Sequence, residues 1–239
     1  MLSQGTVLRK WSVIGNPSDG ADQPQTLEDL FQGQIEEKFD AGEALFWEGD
    51  AAKDVFQLVS GVLRIYRILG DGRRVITGFV YPGDLVGVSL RDRYLYTAEA
   101  VNAVRVRRFG RRRFDEEVAR FPELRPQLFA RVCDEMAAAQ DQMVLLARKT
   151  AEERVCSFLL TIVRRRDAQD DRLPMIDLPM TRLDIADYLG LTIETVSRTM
   201  TKIARAKVVA PSGRHALAIN RLTRLTELAG EIEEPELAH

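Results

Sequence analysis

The residue types able to do chemistry gather in one stretch, MTRLDIADYLGLTIETVSRTMTKIARAKVVAPSGRHALAIN, from Met180 to Asn220. Within it, Glu194, Ser197, Arg198 and Thr201 recur at the spacing that puts side chains on one face of a helix. Ile193, Val196, Met200 and Ile203 step by three, four and three, a buried stripe on the opposite face. The polar face therefore offers a carboxylate, hydroxyls and a guanidinium together. These acceptors and donors suit the base-pair edges of a DNA major groove, which is wide enough to admit one α-helix.

Such a face needs a scaffold. Thr181 stands three residues before Asp184, the spacing of an N-cap pair, and predicts a short helix that carries Leu183, Ala186 and Leu189 inward and stops at Gly190. Thr192 is placed to cap the second helix. A short helix, a glycine turn and a second helix with a polar outer face describe a helix-turn-helix. Val208–Ala210, a Pro211-Ser212-Gly213 turn and Ala216–Ile219 predict a β-hairpin wing beside it. A plain helical hairpin with solvated charges is the competing interpretation.

Upstream, AEERVCSFLLTIVRRR (Ala151–Arg166) is expected to be helical, followed by the polar loop DAQDDRLP. From Pro122 the apolar residues Leu124, Leu128, Val132, Met136, Ala139, Met143 and Leu146 recur at steps of three or four. They predict a helix of about 25 residues with a near-coiled-coil seam. Leu128, Val132, Met136, Ala139, Met143 and Leu146 are the expected dimer contacts, with packing onto the same chain as the alternative. Between residues 35 and 109 the period is two, as in VFQLVSG, VLRIYRIL, RRVITGFVY and VRVRRF, and Gly70-Asp71-Gly72 marks a hairpin. Short strands at this density imply an antiparallel barrel or sandwich, with no helix of useful length among them.

The expected organisation is α+β: a polar arm over residues 1–25, a β-barrel over 26–121, a dimerisation helix over 122–147 and a winged helix-turn-helix over 148–239. The charge supports this division. Residues 147–226 carry 15 Lys/Arg against 9 Asp/Glu in a chain whose net charge is −2, and a basic block suggests a polyanionic partner. With 45% hydrophobic and 29% charged residues the composition is that of a soluble globular protein. No apolar run approaches the roughly 20 residues of a membrane span, and the start does not resemble a secretory signal. No membrane partner and a cytoplasmic location are expected. Cys133 and Cys156 both fall in predicted helices, as structural thiols or a redox pair.

These residues resemble the CRP/FNR superfamily of bacterial transcription regulators over nearly the whole chain. AGEALFWEGDAAKDVFQLVSGVLRIYRILGDGRR is similar to the first part of a cyclic-nucleotide-binding-type jelly roll, and YPGDLVGVSLRDRYLYTAEAV to its phosphate-loop region. TRLDIADYLGLTIETVSRTM is very similar to the FNR/FixK recognition motif, E-x-x-S-R. The resemblance implies that Glu194, Ser197 and Arg198 read bases. Arg198 would donate to guanine O6 and N7, and Glu194 would accept from a cytosine amino group. Thr181, Arg182, Thr192, Lys202 and Arg214 would contact phosphates. The CRP branch has an arginine before the glutamate and a glycine in place of the serine; Ile193 and Ser197 stand here. A palindrome of TTGAT and ATCAA half-sites is therefore implied, together with a homodimer, an RNA polymerase partner and activation of microaerobic, redox or nitrogen-oxide respiration genes.

The sensor half departs from its ligand-binding relatives. Where cyclic-AMP-binding members have a ribose glutamate and an Arg-Ser/Thr pair, this chain has Val88 and Tyr96-Thr97. Two cysteines fall short of a Cys-only iron–sulfur cluster. The histidines, His215 and His239, lie outside the barrel, which counts against haem and against a cupin-type metal enzyme. The expectation is a regulator with no cofactor and no enzymatic activity, and a ligand- or haem-gated member of the superfamily is the alternative.

Overall fold

A computed structural model describes residues 24–89, 91–165 and 175–231. Almost all of the predicted N-terminal arm, the whole of the predicted polar loop and the last eight residues lie outside these.

The N-terminal half is a jelly roll. Its strands are β1 (Glu36–Phe39), β2 (Ala44–Phe46), β3 (Asp54–Ser60), β4 (Leu63–Ile68), β5 (Arg74–Val80), β6 (Leu85–Val86), β7 (Thr97–Ala100) and β8 (Val104–Gly110). They form two four-stranded antiparallel sheets, ordered β1-β8-β3-β6 and β2-β7-β4-β5. Phe56, Leu58, Leu63, Ala98, Ala100, Val104 and Val106 face each other between the sheets. The β4–β5 hairpin closes where Gly70-Asp71-Gly72 predicts it, with the Gly72 amide donating to the Leu69 carbonyl (2.9 Å) and Gly72 at φ +84°.

A second apolar layer lies against one side of this barrel, and no local sequence pattern announces it. Helix α1 (Arg111–Arg120) follows β8 directly. Its Phe114 and Val118 pack with Leu27, Leu30, Phe31, Val55 and Phe109, and close the barrel on the side where the long helix begins. That helix, α2 (Leu124–Arg148), has the predicted 25 residues.

The C-terminal half begins with α3 (Ala151–Arg164), started by a capping box between Thr150 and Glu153. Then come β9 (Met175–Asp177), α4 (Arg182–Leu189), α5 (Ile193–Arg205), β10 (Val209–Ser212), β11 (Ala216–Ile219) and α6 (Leu222–Leu228). The wing has three strands, ordered β10-β11-β9. Its turn falls at Gly213–His215, because Pro211 and Ser212 pair with Leu217 and Ala216. The predicted Pro211-Ser212-Gly213 turn is thus displaced by about two residues. Proline is tolerated there because β10 is an edge strand.

Candidate nucleic-acid interface

The helix-turn-helix is made by two caps and one glycine. At α4 the Thr181 hydroxyl accepts from the Asp184 amide (3.1 Å), while Asp184 Oδ2 accepts from the Thr181 amide (3.0 Å). Gly190 then takes the left-handed conformation (φ +61°), and the Leu191 amide closes on the Ala186 carbonyl (3.0 Å). At α5 the Thr192 hydroxyl accepts from the Thr195 amide (3.2 Å). At the far end Lys207 is left-handed (φ +55°), and the Val208 amide reaches the Ile203 carbonyl (3.0 Å), which ends the helix in a Schellman turn.

Burial sets the direction of α5. Val196, Met200 and Ile203 are buried, with Thr199 beside them. Glu194, Arg198 and Thr201 are exposed, and Ser197 is half-buried at the edge of the same face. Two expected core residues are not in the core: Ile193 (41% exposed) and Leu183 (46% exposed) each lie in the first turn of their helix. In α4 the inward positions are Asp184, Ile185, Ala186 and Leu189. Asp184, in the same first turn as Leu183, takes the inward position instead, so the helical step alone does not decide which residue is buried.

The Glu194 carboxyl is held below its usual range by its own backbone N–H, then by the Thr192 hydroxyl, with Arg198 contributing less. It is therefore an ionised, acceptor-only group at neutral pH. The Arg198 guanidinium makes one long contact, 3.4 Å to the Thr195 hydroxyl, and no ion pair among the described residues. Its donors face solvent. Thr195, which the sequence analysis passed over, thus links the cap to the guanidinium.

The expected phosphate contacts divide. Thr181, Arg182 and Thr192 are exposed at the N-termini of α4 and α5, where backbone amides and the helix dipole favour anions. Arg214 is exposed in the wing turn. Lys202 is different, because its ammonium is paired with Glu152 of α3. The pair is largely exposed, so it occupies the ammonium without fixing α5 to α3.

The seam of α2 is shifted at one end. Leu128 packs into the outer barrel layer with Leu124 and Phe121, so it belongs to its own domain. Phe129, at 71% exposure, stands in its place. Phe129, Val132, Met136, Ala139, Met143 and Leu146 are all exposed and step by three, four, three, four and three, a heptad stripe. Leu128 also lies four residues before Val132, so spacing alone could not separate the two.

In the barrel, Val88 packs against the outer apolar layer, and Tyr96 against the inner core. The Phe46 ring stacks on Tyr94 at 3.7 Å between centroids and meets Tyr96 at 5.8 Å. The Thr97 hydroxyl accepts from the Glu48 amide (3.0 Å). No group of three or more His, Cys, Asp or Glu side chains is placed to hold a metal ion among the described residues, and no helix there is long and apolar enough to cross a membrane.

A jelly roll joined by a long helix to a winged helix-turn-helix defines a class, and comparison with known proteins agrees with it. Residues 36–121 match the cyclic nucleotide-binding domain and residues 153–228 the Crp-like helix-turn-helix domain. The chain belongs to the CRP/FNR family and is a DNA-binding transcription regulator. It is 44% identical to the transcriptional activatory protein AadR of Rhodopseudomonas palustris, over 77% of each chain. It is 45% identical to the nitrogen fixation regulation protein FixK of Bradyrhizobium diazoefficiens, over 72% of this chain and 73% of that one. The solved structure of FixK2 from Bradyrhizobium japonicum superposes with a TM-score of 0.77 at 35% identity, covering 84% of this chain and 99% of the other.

Proposed function

We propose that the protein is a homodimeric activator that reads a TTGAT-N4-ATCAA palindrome, with Glu194, Ser197 and Arg198 on the base edges. Thr181, Arg182, Thr192 and Arg214 contact the backbone, and Lys202 joins them if its pair with Glu152 opens. The observation that carries the reading is the exposed face of α5. An ionised carboxylate, a hydroxyl and a guanidinium with no ion pair among the described residues share one helix face, whose other face is packed into the core. Arginine donating to guanine and glutamate accepting from cytosine is the pairing that this donor and acceptor set allows.

The exposed Phe129–Leu146 stripe supports dimerisation, since an apolar stripe of this length requires cover. A two-fold dimer presents two α5 helices to successive major grooves and so demands a palindromic site. RNA polymerase is the further partner.

The barrel residues do not fit a cyclic nucleotide. Val88 and Tyr96 sit within apolar clusters where ligand-binding relatives place a carboxylate and an arginine. A cyclic phosphate buried there would have no cation to compensate it. We assign control of microaerobic, redox or nitrogen-oxide respiration genes, without cyclic AMP or an iron–sulfur cluster. Similarity to the transcriptional activators AadR and FnrL and to the nitrogen fixation regulator FixK supports an activating role.

The test is selection from a random duplex library with the purified, ligand-free protein. Enrichment of paired TTGAT and ATCAA half-sites is expected. Enrichment of a different half-site would overturn the base assignment, and enrichment only after a cell extract supplies a small molecule would overturn the effector-free reading.

A further inference from the structure

The DNA-reading unit is clasped to the barrel by an ion network. Arg64 of β4 and Arg74 of β5 project from one sheet onto α4. Arg74 Nη2 donates to Asp184 Oδ1 and Arg74 Nε to Asp187 Oδ2, each at 2.8 Å. Arg64 Nη1 donates to Asp184 Oδ1 (3.2 Å), and its other terminal nitrogen pairs with Glu99 of β7. Glu99 is held in turn by the Tyr66 hydroxyl (2.8 Å), and the Arg74 guanidinium lies 5.7 Å over the Tyr66 ring.

This is not an ordinary surface pair. The Asp184 side chain is 2% exposed, and its two oxygens have separate duties. Oδ2 completes the cap that starts the helix-turn-helix, and Oδ1 takes both arginines. A carboxylate so buried depends on its cations, and removing one leaves charge without compensation. Exposed pairs, by contrast, contribute little and fix no geometry. Phe79 of β5 adds an apolar stop against Tyr188 (5.4 Å between centroids). Contacts on two successive turns of one helix restrict its rotation as well as its position.

Asp184 completes the cap of α4, and α4 joins α5 through the left-handed turn at Gly190. We propose that Arg64 and Arg74 are positioning residues for DNA recognition. By gripping Asp184 and Asp187 they fix the angle of the recognition helix to the barrel, and with it the half-site spacing that the dimer accepts. Each base pair added between half-sites moves them about 3.4 Å and turns them about 35°. A unit free to swing on its linker would tolerate such changes, whereas a clasped one would not. The inference rests on the dimeric, half-site-reading function proposed above.

The experiment compares the wild-type full chain with Arg74→Gln and Arg74→Lys in two arms. In the first, affinities are measured at fixed salt for duplexes whose half-sites are separated by three, four or five base pairs, and for a single half-site. The preference for one spacing should fall about fivefold or more in Arg74→Gln, the low end of coupling between sites. Single-half-site affinity should stay within about twofold, and Arg74→Lys should recover most of the preference. In the second arm, amide exchange without DNA should quicken across α4 in Arg74→Gln and stay unchanged in α3. An unchanged spacing preference in Arg74→Gln would overturn the proposal, even if exchange in α4 quickens. If the wild type selects no half-site, the half-site reading fails instead, and the exchange arm judges the clasp alone.

Discussion

The Gln142 side-chain amide donates a 2.8 Å hydrogen bond to the carbonyl of Tyr188, which ties the long helix α2 to the last turn of α4. Arg154 reinforces the junction from α3, donating to the carbonyls of Leu189 (3.0 Å) and Leu146 (2.9 Å). Carbonyls at a helix end lack intrahelical partners, and here side chains of neighbouring helices satisfy them. The stripe on α2 and the polar face of α5 are thereby parts of one connected frame. In the proposed dimer, a change in how two α2 helices meet would be passed through this frame to the two α5 helices.

Dimerisation should therefore fail before DNA binding does. Met143→Glu places a charge in the C-terminal part of the stripe, where burial against a second copy would leave it unpaired. Sedimentation velocity should show the dimer weakened by about 3 kcal/mol, on the order of a hundredfold. Leu128→Ala provides the contrast. Since Leu128 packs in its own domain, it should lower thermal stability by about 1–2 kcal/mol and leave the dimer constant unchanged.

Arg198→Ala should lose about 1–3 kcal/mol at one base pair of each half-site and relax discrimination there. Binding to random duplex should scarcely change. Titration of duplexes substituted at each position in turn checks this. Equal losses on specific and random DNA would place Arg198 on a phosphate.

Thr192→Ala removes the hydroxyl that caps α5 and leaves the Thr195 amide without its partner. The loss should be about 1 kcal/mol of stability by chemical denaturation, with the slope of the transition unchanged. Affinity for the specific duplex should fall as well, since Thr192 lies at the helix end nearest the proposed phosphate contacts.

Burial pushes the Cys156 thiol up to about 12, with the neighbouring Glu152 adding to the rise. A thiol of this kind is a poor nucleophile at neutral pH. Alkylation of the native protein should therefore spare Cys156 at pH 8. The linkage has a definite sign. The folded state holds this proton more tightly than the unfolded one, so the stabilisation is complete below the unfolded value near 9 and is lost as pH rises toward 12. Cys156→Ala should flatten this part of the stability–pH curve relative to wild type, which denaturation at pH 8, 9.5 and 10.5 would reveal.

Much of the architecture was legible because its signals are local. The caps at Thr181 and Thr192, the stop at Gly190 and the three-and-four apolar period of α2 depend on residues a few places apart. The errors arise where tertiary packing decides. Leu128 and Phe129 both suit the α2 seam by spacing, and only the outer layer formed by α1 and the segment before β1 assigns Leu128 to the barrel. Ile193 and Leu183 continue the apolar periods of their helices but sit at first-turn positions left exposed. Helix α1 escaped notice because RRRFDEEVAR carries just two buried apolar residues, Phe114 and Val118. The grip of Arg64 and Arg74 on α4 spans more than 100 positions of sequence, and no pattern within one segment announces it.

Fluorescence anisotropy can show whether the protein reads one palindrome selectively and without a ligand. Purified protein would be titrated onto a TTGAT-N4-ATCAA duplex and a scrambled control at fixed salt, in air and under reducing anaerobic conditions. The account predicts selective binding in both conditions, with a specific-to-scrambled ratio of at least about a thousandfold. Equal affinity for the two duplexes in both conditions would contradict it.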